Sequence, residues 1–385
     1  MAHNNETYQH TISFFNEYDK NLYQQNEVNY TLKCKDEEIA KFSVANSQVT
    51  KCKVNEKKMR LLPMYMRIGN PDVGLQTWLL KRHIDFNRTN GRKLLKAFNL
   101  NMSTDINNVL ANNSLSLTDC YWTQKEGKTQ SFSQVSLYRK KESKYIVDLS
   151  LSGVLREVNY IDSNAELTNI GSFEKAWRYI NGSWRLYKRG NKYNYYAELF
   201  YYYLAKHLNI NIAEYYYDTN EKMIYSINIT NEEVMLEHYD AFKNVLDFDK
   251  ECKDREKELI FKQYLDMSLL DAITCNYDRH EFNWGCLRDS STGKLICIAP
   301  IFDNNLCLGA DSEGNEAYIG IGMIREYINT IGIRDYQKRM LRMLSTDDIL
   351  TIDRIVKENL QDLNLDTTKQ INYLFEAIKY LSDFI

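Results

Sequence analysis

The segment NYDRHEFNWG, residues 276–285, carries an aspartate and an asparagine at a spacing that suits phosphoryl transfer. Four residues separate Asp278 from Asn283, which is the D-x-x-x-x-N pattern of a loop that faces a γ-phosphate. In such a loop the carboxylate accepts the proton of an attacking hydroxyl, and the amide oxygen binds Mg²⁺. The pattern alone is weak because Asp and Asn are also common turn residues, so a polar loop between a helix and a hairpin is the alternative.

A second carboxylate, Asp303, follows the apolar run KLICIAPIF. The segments WGCLRD and KLICIAPIFD are predicted to form a hairpin after the first loop, with Asp303 at its end and beside that loop. A carboxylate at such a position can bind the Mg²⁺ that bridges the β- and γ-phosphates, whereas a simple turn at a strand end is the alternative. The two residues after Asp303 are asparagines, so the Phe and Gly of a DFG motif are absent.

Upstream, a lysine and a glutamate have the types expected of a nucleotide-binding pair. Lys188 ends the alternating segment SWRLYK, from which its ammonium could reach the α- and β-phosphates. Glu198 lies on a helix predicted for residues 195–208, opposite an apolar stripe and among the rings of Tyr201 and Tyr202. A carboxylate in these surroundings needs a partner, and Lys188 is the predicted one. A solvated helix face is the alternative.

No Gly-x-Gly-x-x-Gly segment is present to cover the phosphates of a nucleotide. The candidate for this role is TNIGSFEKAW, residues 168–177, in which a single glycine, Gly171, is followed by Ser172, with Lys175 downstream.

Four segments in this order resemble the HipA-like family of Ser/Thr protein kinases. They are LTNIGSFEKAWRYINGSWRLYKRG, AELFYYYLAKHLNI, CNYDRHEFNWG and IAPIFD, and they cover about residues 165–310. The resemblance implies ATP and Mg²⁺ as cofactors and transfer of the γ-phosphate to a Ser or Thr hydroxyl of a protein. It makes Asp278 the catalytic base. The other implied site residues bind metal (Asn283 and Asp303) or the nucleotide (Lys188, Glu198, Gly171 and Ser172).

The resemblance also implies regulation and partners. Residues 168–175 resemble a phosphate-covering loop that members of the family phosphorylate themselves, so Thr168 is the expected self-modified residue and Ser172 its rival. A serine is usual where Thr168 stands. Family members often pair with a small DNA-binding antitoxin, which makes such a protein the expected partner beside a protein substrate whose identity the sequence does not reveal.

Apolar periodicity predicts an α+β protein in three parts. Residues 1–150 are predicted to form an N-terminal accessory α+β region, residues 151–250 a small sheet-based lobe and residues 251–385 a helical catalytic lobe. The resemblance implies that the last two parts together form a two-lobed protein-kinase-like fold. Within the accessory region, residues 135–151 have a strand-like pattern.

The composition and net charge of the chain argue against some classes of protein. The chain has 385 residues, of which 44% are hydrophobic and 26% charged, with a formal net charge of −3. This charge gives no global positive field to attract nucleic acid or anionic lipid, and no run reaches the ~18 apolar residues of a membrane helix. A signal peptide's apolar core is missing from the start. We therefore expect a cytoplasmic protein with reduced cysteines that binds neither nucleic acid directly nor a membrane.

Two alternatives to a protein kinase remain open at this level. One is a nucleotide-binding pseudokinase or interaction module, in which the fold persists without phosphoryl transfer. The other is a small-molecule phosphotransferase, which would use the same residues on a different hydroxyl. The intact set of Asp278, Asn283, Asp303 and Lys188 argues against the first alternative, and it does not separate the second from a protein kinase.

Overall fold

The computed structural model describes residues 27–83, 90–97, 106–140, 144–153, 174–243, 253–310 and 317–385. Within these ranges it contains three antiparallel sheets together with helices, in agreement with the predicted α+β class. No helix of the described ranges is long and apolar enough to cross a membrane. The seven cysteines in them are free thiols.

The first sheet has the strand order β3-β2-β1-β4. Its strands are β1 Val28–Cys34, β2 Glu37–Ala45, β3 Gln48–Val54 and β4 Tyr121–Lys125. The described residues between β3 and β4 include the α-helices α1 Pro71–Leu80, α2 Gly91–Ala97 and α3 Ile106–Ala111. Leu32, Ile39 and Phe42 of the sheet form one buried cluster with α1 and α3, which Trp184 and Met235 from later in the chain also join.

Residues 135–151, predicted as strand, contain helical elements and no strand where the structure describes them. These elements are α4 Phe132–Val135, a 3-10 turn Leu137–Arg139 and α5 Lys144–Ser152. Val147 and Leu151 are four residues apart and share one face of α5, where they pack with Ala176 and Tyr187 of the second sheet. Apolar residues at 147, 149 and 151 also fit a strand, so the pattern alone could not choose between helix and strand.

The second sheet has the order β5-β6-β8-β7. Its strands are β5 Lys175–Ile180, β6 Ser183–Lys188, β7 Tyr215–Asp218 and β8 Met223–Ile227. A turn at Asn181-Gly182 joins β5 to β6, and both residues have positive φ, as a type I′ hairpin requires. Helix α6 spans Lys192–His207, close to the predicted 195–208, and its N-cap Asn191 accepts hydrogen bonds from the next turn.

The third sheet has the order β11-β10-β9. Its elements are β9 Val234–His238, followed by the short helix α7 Tyr239–Phe242, and the hairpin β10 Gly285–Asp289 and β11 Leu295–Ile298. The hairpin was predicted, but its pairing with β9 was not. Gly285 is needed at this pairing, because a Cβ there would overlap the Glu237 carbonyl oxygen.

The long helix α8, Asp254–Thr274, leads into the loop before β10. Further helices follow the hairpin: α9 Ala317–Thr330, α10 Asp335–Arg342, α11 Thr346–Asn359 and α12 Thr368–Ser382. Together with α6 they enclose a buried cluster that includes Phe200, Leu270 and Leu374. This cluster supports the end of α8, from which the candidate loop emerges.

A fully buried arginine, Arg288 on β10, joins the N-terminal region to the third sheet. Its guanidinium forms an ion pair with Glu237 on β9. It also donates hydrogen bonds to the Tyr121 hydroxyl at 2.9 Å and to the Leu62 carbonyl at 3.2 Å. These contacts hold the first sheet against the strand that borders the candidate site.

Candidate functional site

A cavity of about 340 Å³ is lined by residues from all three sheets and from the loop after α8. Lys188, Asp278, Asn283 and Asp303 line it, although Lys188 and Asp303 are 115 residues apart in the chain. Glu198 does not line the cavity but lies behind Lys188. The fold therefore brings together four side chains that the sequence singled out for their chemistry.

The loop after α8 holds Asp278 and Asn283 in contact with each other. Cys275 caps α8 in the left-handed conformation, with φ of +55°, and this turns the chain out of the helix. The Asn283 amide nitrogen donates to the Asp278 carbonyl at 2.8 Å and to its carboxylate at 3.3 Å. Because the nitrogen makes these contacts, the Asn283 amide oxygen is the atom that would bind a metal.

Asp278 is partly buried at the edge of the cavity. Burial raises the pKa of its carboxyl group, His280 opposes this effect, and the negative charge of Asp303 adds to it. The carboxylate is therefore a stronger base than an exposed aspartate, which suits a proton acceptor.

Lys188 lies between two carboxylates. Its Nζ is 2.7 Å from Oδ1 of Asp303 and 3.6 Å from Oε2 of Glu198. Glu198 is fully buried on α6, and its other oxygen accepts hydrogen bonds from the backbone and side-chain N–H groups of Asn304. A solvated helix face is thus the wrong interpretation of Glu198.

The charge states of Lys188, Asp303 and Glu198 depend on one another. Burial alone would lower the pKa of Lys188, but Asp303 and Glu198 raise it above the ordinary value. Burial alone would raise the pKa of Asp303, but Lys188 and then Lys175 hold it well below its usual range. Burial dominates at Glu198, whose pKa is raised despite Lys188. Lys188 is therefore protonated and Asp303 ionised at neutral pH.

Arg279, for which the sequence predicted no role, connects Asn283 to the residue before Asp303. It forms a bidentate ion pair with Asp271 of α8 at 2.9 and 3.0 Å. It also donates to the carbonyls of Asn283 at 2.7 Å and Phe302 at 2.6 Å, and Phe302 directly precedes Asp303. Its place next to Asp278 in the chain is the only sequence signal of this role.

One face of the second sheet forms a wall of the cavity. The cross-strand register aligns one residue of each strand in a row that lines it: Trp177, Leu186, Ser226 and Tyr215. The neighbouring row carries Lys188. A mostly apolar row beside a cationic one suits a ligand with a flat base at one end and an anionic group at the other.

The N-terminal region forms another wall of the cavity, which the sequence analysis did not predict. The Lys81 ammonium lies over the Phe282 ring at 4.6 Å from its centroid and 3.2 Å from the Asp240 carboxylate. Arg82 and Asp119, which also line the cavity, form a bidentate ion pair at 2.7 and 3.0 Å. No sequence motif identifies these residues, because their position in the cavity depends on how the first sheet packs against the loop after α8.

The side-chain oxygens of Asn283 and Asp303 suit a magnesium ion whose other ligands include phosphate oxygens. Mg²⁺ at such sites takes one or two protein oxygens and completes its octahedron with phosphate and water. Among the described residues, no group of three or more His, Cys, Asp or Glu side chains is arranged to hold a metal ion.

Thr168, Gly171 and Ser172 lie outside the described residues. Their predicted roles in covering the phosphates and in self-modification stay predictions.

Comparison with known proteins finds similar solved structures but no match by sequence. No sequence profile of a protein family matches the chain, and no curated protein matches it. Similar solved structures include HipA in a complex with HipB and operator DNA, from a toxin–antitoxin system of Shewanella oneidensis MR-1. The alignment covers 92% of this chain and 97% of the HipA chain, with a TM-score of 0.51 and 10% sequence identity. Another is the Helicobacter pylori proinflammatory kinase CtkA, which covers 55% of this chain and 90% of that chain, with a TM-score of 0.40 and 16% identity. The resemblance to HipA seen in the motifs is thus confirmed at the level of the fold.

Proposed function

We propose that this chain, which has a fold similar to that of HipA, is an ATP- and Mg²⁺-dependent Ser/Thr protein kinase of the HipA-like type. The observation that supports it is the convergence of Asp278, Asn283, Asp303 and Lys188 on one cavity. A base, two metal ligands and a phosphate-binding lysine are the groups that phosphoryl transfer requires. In this proposal the second sheet and the helices from α8 onward correspond to the two lobes of a kinase.

The reaction would be a transfer of phosphorus between two oxygens. The substrate hydroxyl loses its proton to the Asp278 carboxylate as its oxygen bonds to the γ-phosphorus, and the bond from that phosphorus to the leaving oxygen of ADP breaks. Asn283 and Asp303 would hold Mg²⁺, which neutralises charge on the phosphate oxygens. Lys188, oriented by Glu198, would hold the α- and β-phosphates so that the γ-phosphate faces Asp278.

The proposal extends to partners and regulation. A small DNA-binding antitoxin-like protein is the proposed partner, because the similar HipA was solved with HipB and operator DNA. Thr168 is the proposed self-phosphorylated residue, on the strength of the motif resemblance alone.

Purified protein with Mg-ATP should phosphorylate Ser or Thr residues in the protein fraction of a cell extract. The protein should also gain one phosphate group itself, at Thr168. Peptide mass spectrometry reads both results. The small-metabolite fraction of the same extract is the matched control. Transfer to metabolites alone would indicate a small-molecule phosphotransferase, and nucleotide binding without transfer to either fraction would indicate a pseudokinase.

Asp303→Ala should lose the Mg²⁺-dependent part of the thermal stabilisation by ATP. A ligand that binds only the folded state stabilises it by about 2.7 kcal/mol at a concentration 100-fold above its Kd. Removing the carboxylate removes a metal ligand, so ATP with Mg²⁺ and ATP with EDTA should give equal melting temperatures in the variant. Asp254→Ala, at an exposed carboxylate on α8, is the control and should respond as the wild type does. An undiminished Mg²⁺ effect in Asp303→Ala would rule this residue out as a metal ligand.

A further inference from the structure

Asp240, the second residue of α7, is a buried carboxylate near the candidate loop to which the proposed mechanism gives no role. Its side chain is only 8% exposed, and it does not line the cavity. Two groups of the N-terminal region bind it: the Tyr65 hydroxyl donates a hydrogen bond to it, and the Lys81 ammonium lies 3.2 Å from its Oδ2. The Lys243 ammonium lies 3.0 Å from its Oδ1. Asp240 thus attaches the N-terminal region to the start of α7.

The side chain of Asp240 is ionised at neutral pH. Burial alone would raise the pKa of its carboxyl group, but the hydrogen bonds from Tyr65, Lys243 and Lys81 lower it to about 2. A charged acceptor makes each of these hydrogen bonds stronger than a neutral one would. An uncharged side chain of the same shape would therefore weaken the attachment without leaving a cavity.

The start of α7 in turn holds the candidate loop. The Tyr239 N–H donates to the Trp284 carbonyl at 3.0 Å, and the Asp240 N–H donates to the Glu281 carbonyl at 3.2 Å. N–H groups in the first turn of a helix have no partner within the helix, so they can bind carbonyls from elsewhere. The loop is held in this way on both sides of Asn283. Both contacts use backbone carbonyls, so the side chain of Glu281 is not needed for them.

The Lys81 ammonium adds a contact with the loop itself. It lies over the Phe282 ring, 4.6 Å from the ring centroid, while it also binds Asp240. Phe282 lies between Asp278 and Asn283 in the chain. Its position therefore affects how the proposed base faces the proposed metal ligand.

We propose that Asp240 is a positioning residue for phosphoryl transfer. It anchors the start of α7 to the N-terminal region and thereby keeps the loop from Asp278 to Asn283 in its active geometry. A displacement of ~1 Å from such a geometry can lower a rate by about 100-fold, even when the mutated side chain is far from the reacting atoms. The inference rests on the proposed function, and it gives the N-terminal region a part in the catalytic step.

Asp240→Asn removes the charge and keeps the shape of the side chain. The rate of phosphate transfer from radiolabelled ATP to the protein fraction of a cell extract should fall about 10- to 100-fold. ATP affinity, measured by calorimetry, should stay close to that of the wild type, because Asp240 does not line the cavity. Asp240→Glu keeps the charge and should retain more of the rate than Asp240→Asn.

Hydrogen exchange tests the anchor without nucleotide or substrate. In the wild type the Asn283 N–H donates to the His280 carbonyl at 2.9 Å, so peptides that cover residues 276–285 should be protected. In Asp240→Asn these peptides should exchange roughly 10-fold faster, which corresponds to losing a hydrogen bond to a charged group. Peptides from α12 should exchange as in the wild type.

Asp353→Asn is the matched control. Asp353 on α11 is also a nearly buried carboxylate that binds a tyrosine hydroxyl and a lysine, Tyr196 at 2.8 Å and Lys357 at 3.5 Å, but it does not line the cavity. This variant should melt at a lower temperature, and both its rate of transfer and the exchange of residues 276–285 should stay close to the wild type. If Asp240→Asn does not fold, Tyr65→Phe replaces it and should change the rate and the exchange in the same direction by a smaller amount.

The outcomes separate this inference from the proposed function. A wild-type protein that transfers no phosphate contradicts the proposed function itself, whereas unchanged exchange of residues 276–285 in Asp240→Asn contradicts the anchor alone. If the wild type is active and Asp240→Asn keeps its rate of transfer, the inference is wrong, whether or not the loop exchanges faster. An equal loss of rate in Asp353→Asn would also overturn it, because that result indicates a general loss of stability.

Discussion

Asp278→Ala should reduce phosphoryl transfer by about 10²–10⁴-fold, the usual contribution of a general base, while Mg-ATP still binds. The carboxylate is only partly buried and accepts a long hydrogen bond from Asn283, so its removal should disturb little packing. Single-turnover kinetics with radiolabelled ATP measures the chemical step, and calorimetry measures nucleotide affinity.

Glu281→Ala is the control for Asp278→Ala. Glu281 belongs to the same loop, but it is exposed, pairs with Lys243 and does not line the cavity. Its removal should leave turnover close to that of the wild type. Turnover of Asp278→Ala within a few-fold of wild type would show that another group accepts the proton.

Arg279→Ala is expected to lower the free energy of unfolding by about 3–5 kcal/mol, because it leaves a buried carboxylate without its cation. That carboxylate is Asp271, whose side chain is 8% exposed and which also accepts hydrogen bonds from Tyr201 and Asn276. The variant also frees the carbonyls of Asn283 and Phe302, so phosphoryl transfer should fall as well. Urea-induced unfolding followed by circular dichroism gives the stability.

Arg139→Ala tests whether the burial of the ion pair causes the loss of stability expected for Arg279→Ala. Arg139 also forms a bidentate pair, with Glu232, but its side chain is 53% exposed. Exposed pairs of this kind contribute about 0–1 kcal/mol. If the two variants lose the same stability, Arg279 does not clamp the loop in the way its contacts indicate. Arg279→Lys keeps the charge without the planar fork and should fall between Arg279→Ala and the wild type.

Several features were predictable from the sequence because the chemistry that produces them is local. The Asn181-Gly182 turn needs two residues that accept positive φ, and both are adjacent in the chain. Asp278 and Asn283 share one short loop, so their spacing alone brings them together. The hairpin after that loop also follows from the apolar pattern of the sequence, and its strands are β10 and β11.

Residues distant in the chain were harder to assign, and the reason differs between them. Lys188 was found because it ends an alternating segment and Asp303 because it follows an apolar run, but only the fold shows that they form an ion pair at 2.7 Å. The strand pattern of residues 135–151 failed because apolar residues at every second position can also lie on a helix, and packing with Ala176 and Tyr187 decided for α5.

By itself, then, the sequence determined the α+β class, the local turns and helices, and the residue types that could carry out phosphoryl transfer. Tertiary structure alone decided that β9 pairs with β10, that Arg279 holds the loop to the residue before Asp303, and that Lys175 faces Lys188 across a strand pair. It also decided that the N-terminal region lines the same cavity. The physical reason is that residue types and periodicity identify which face of an element is buried, whereas they do not specify which distant face it is buried against.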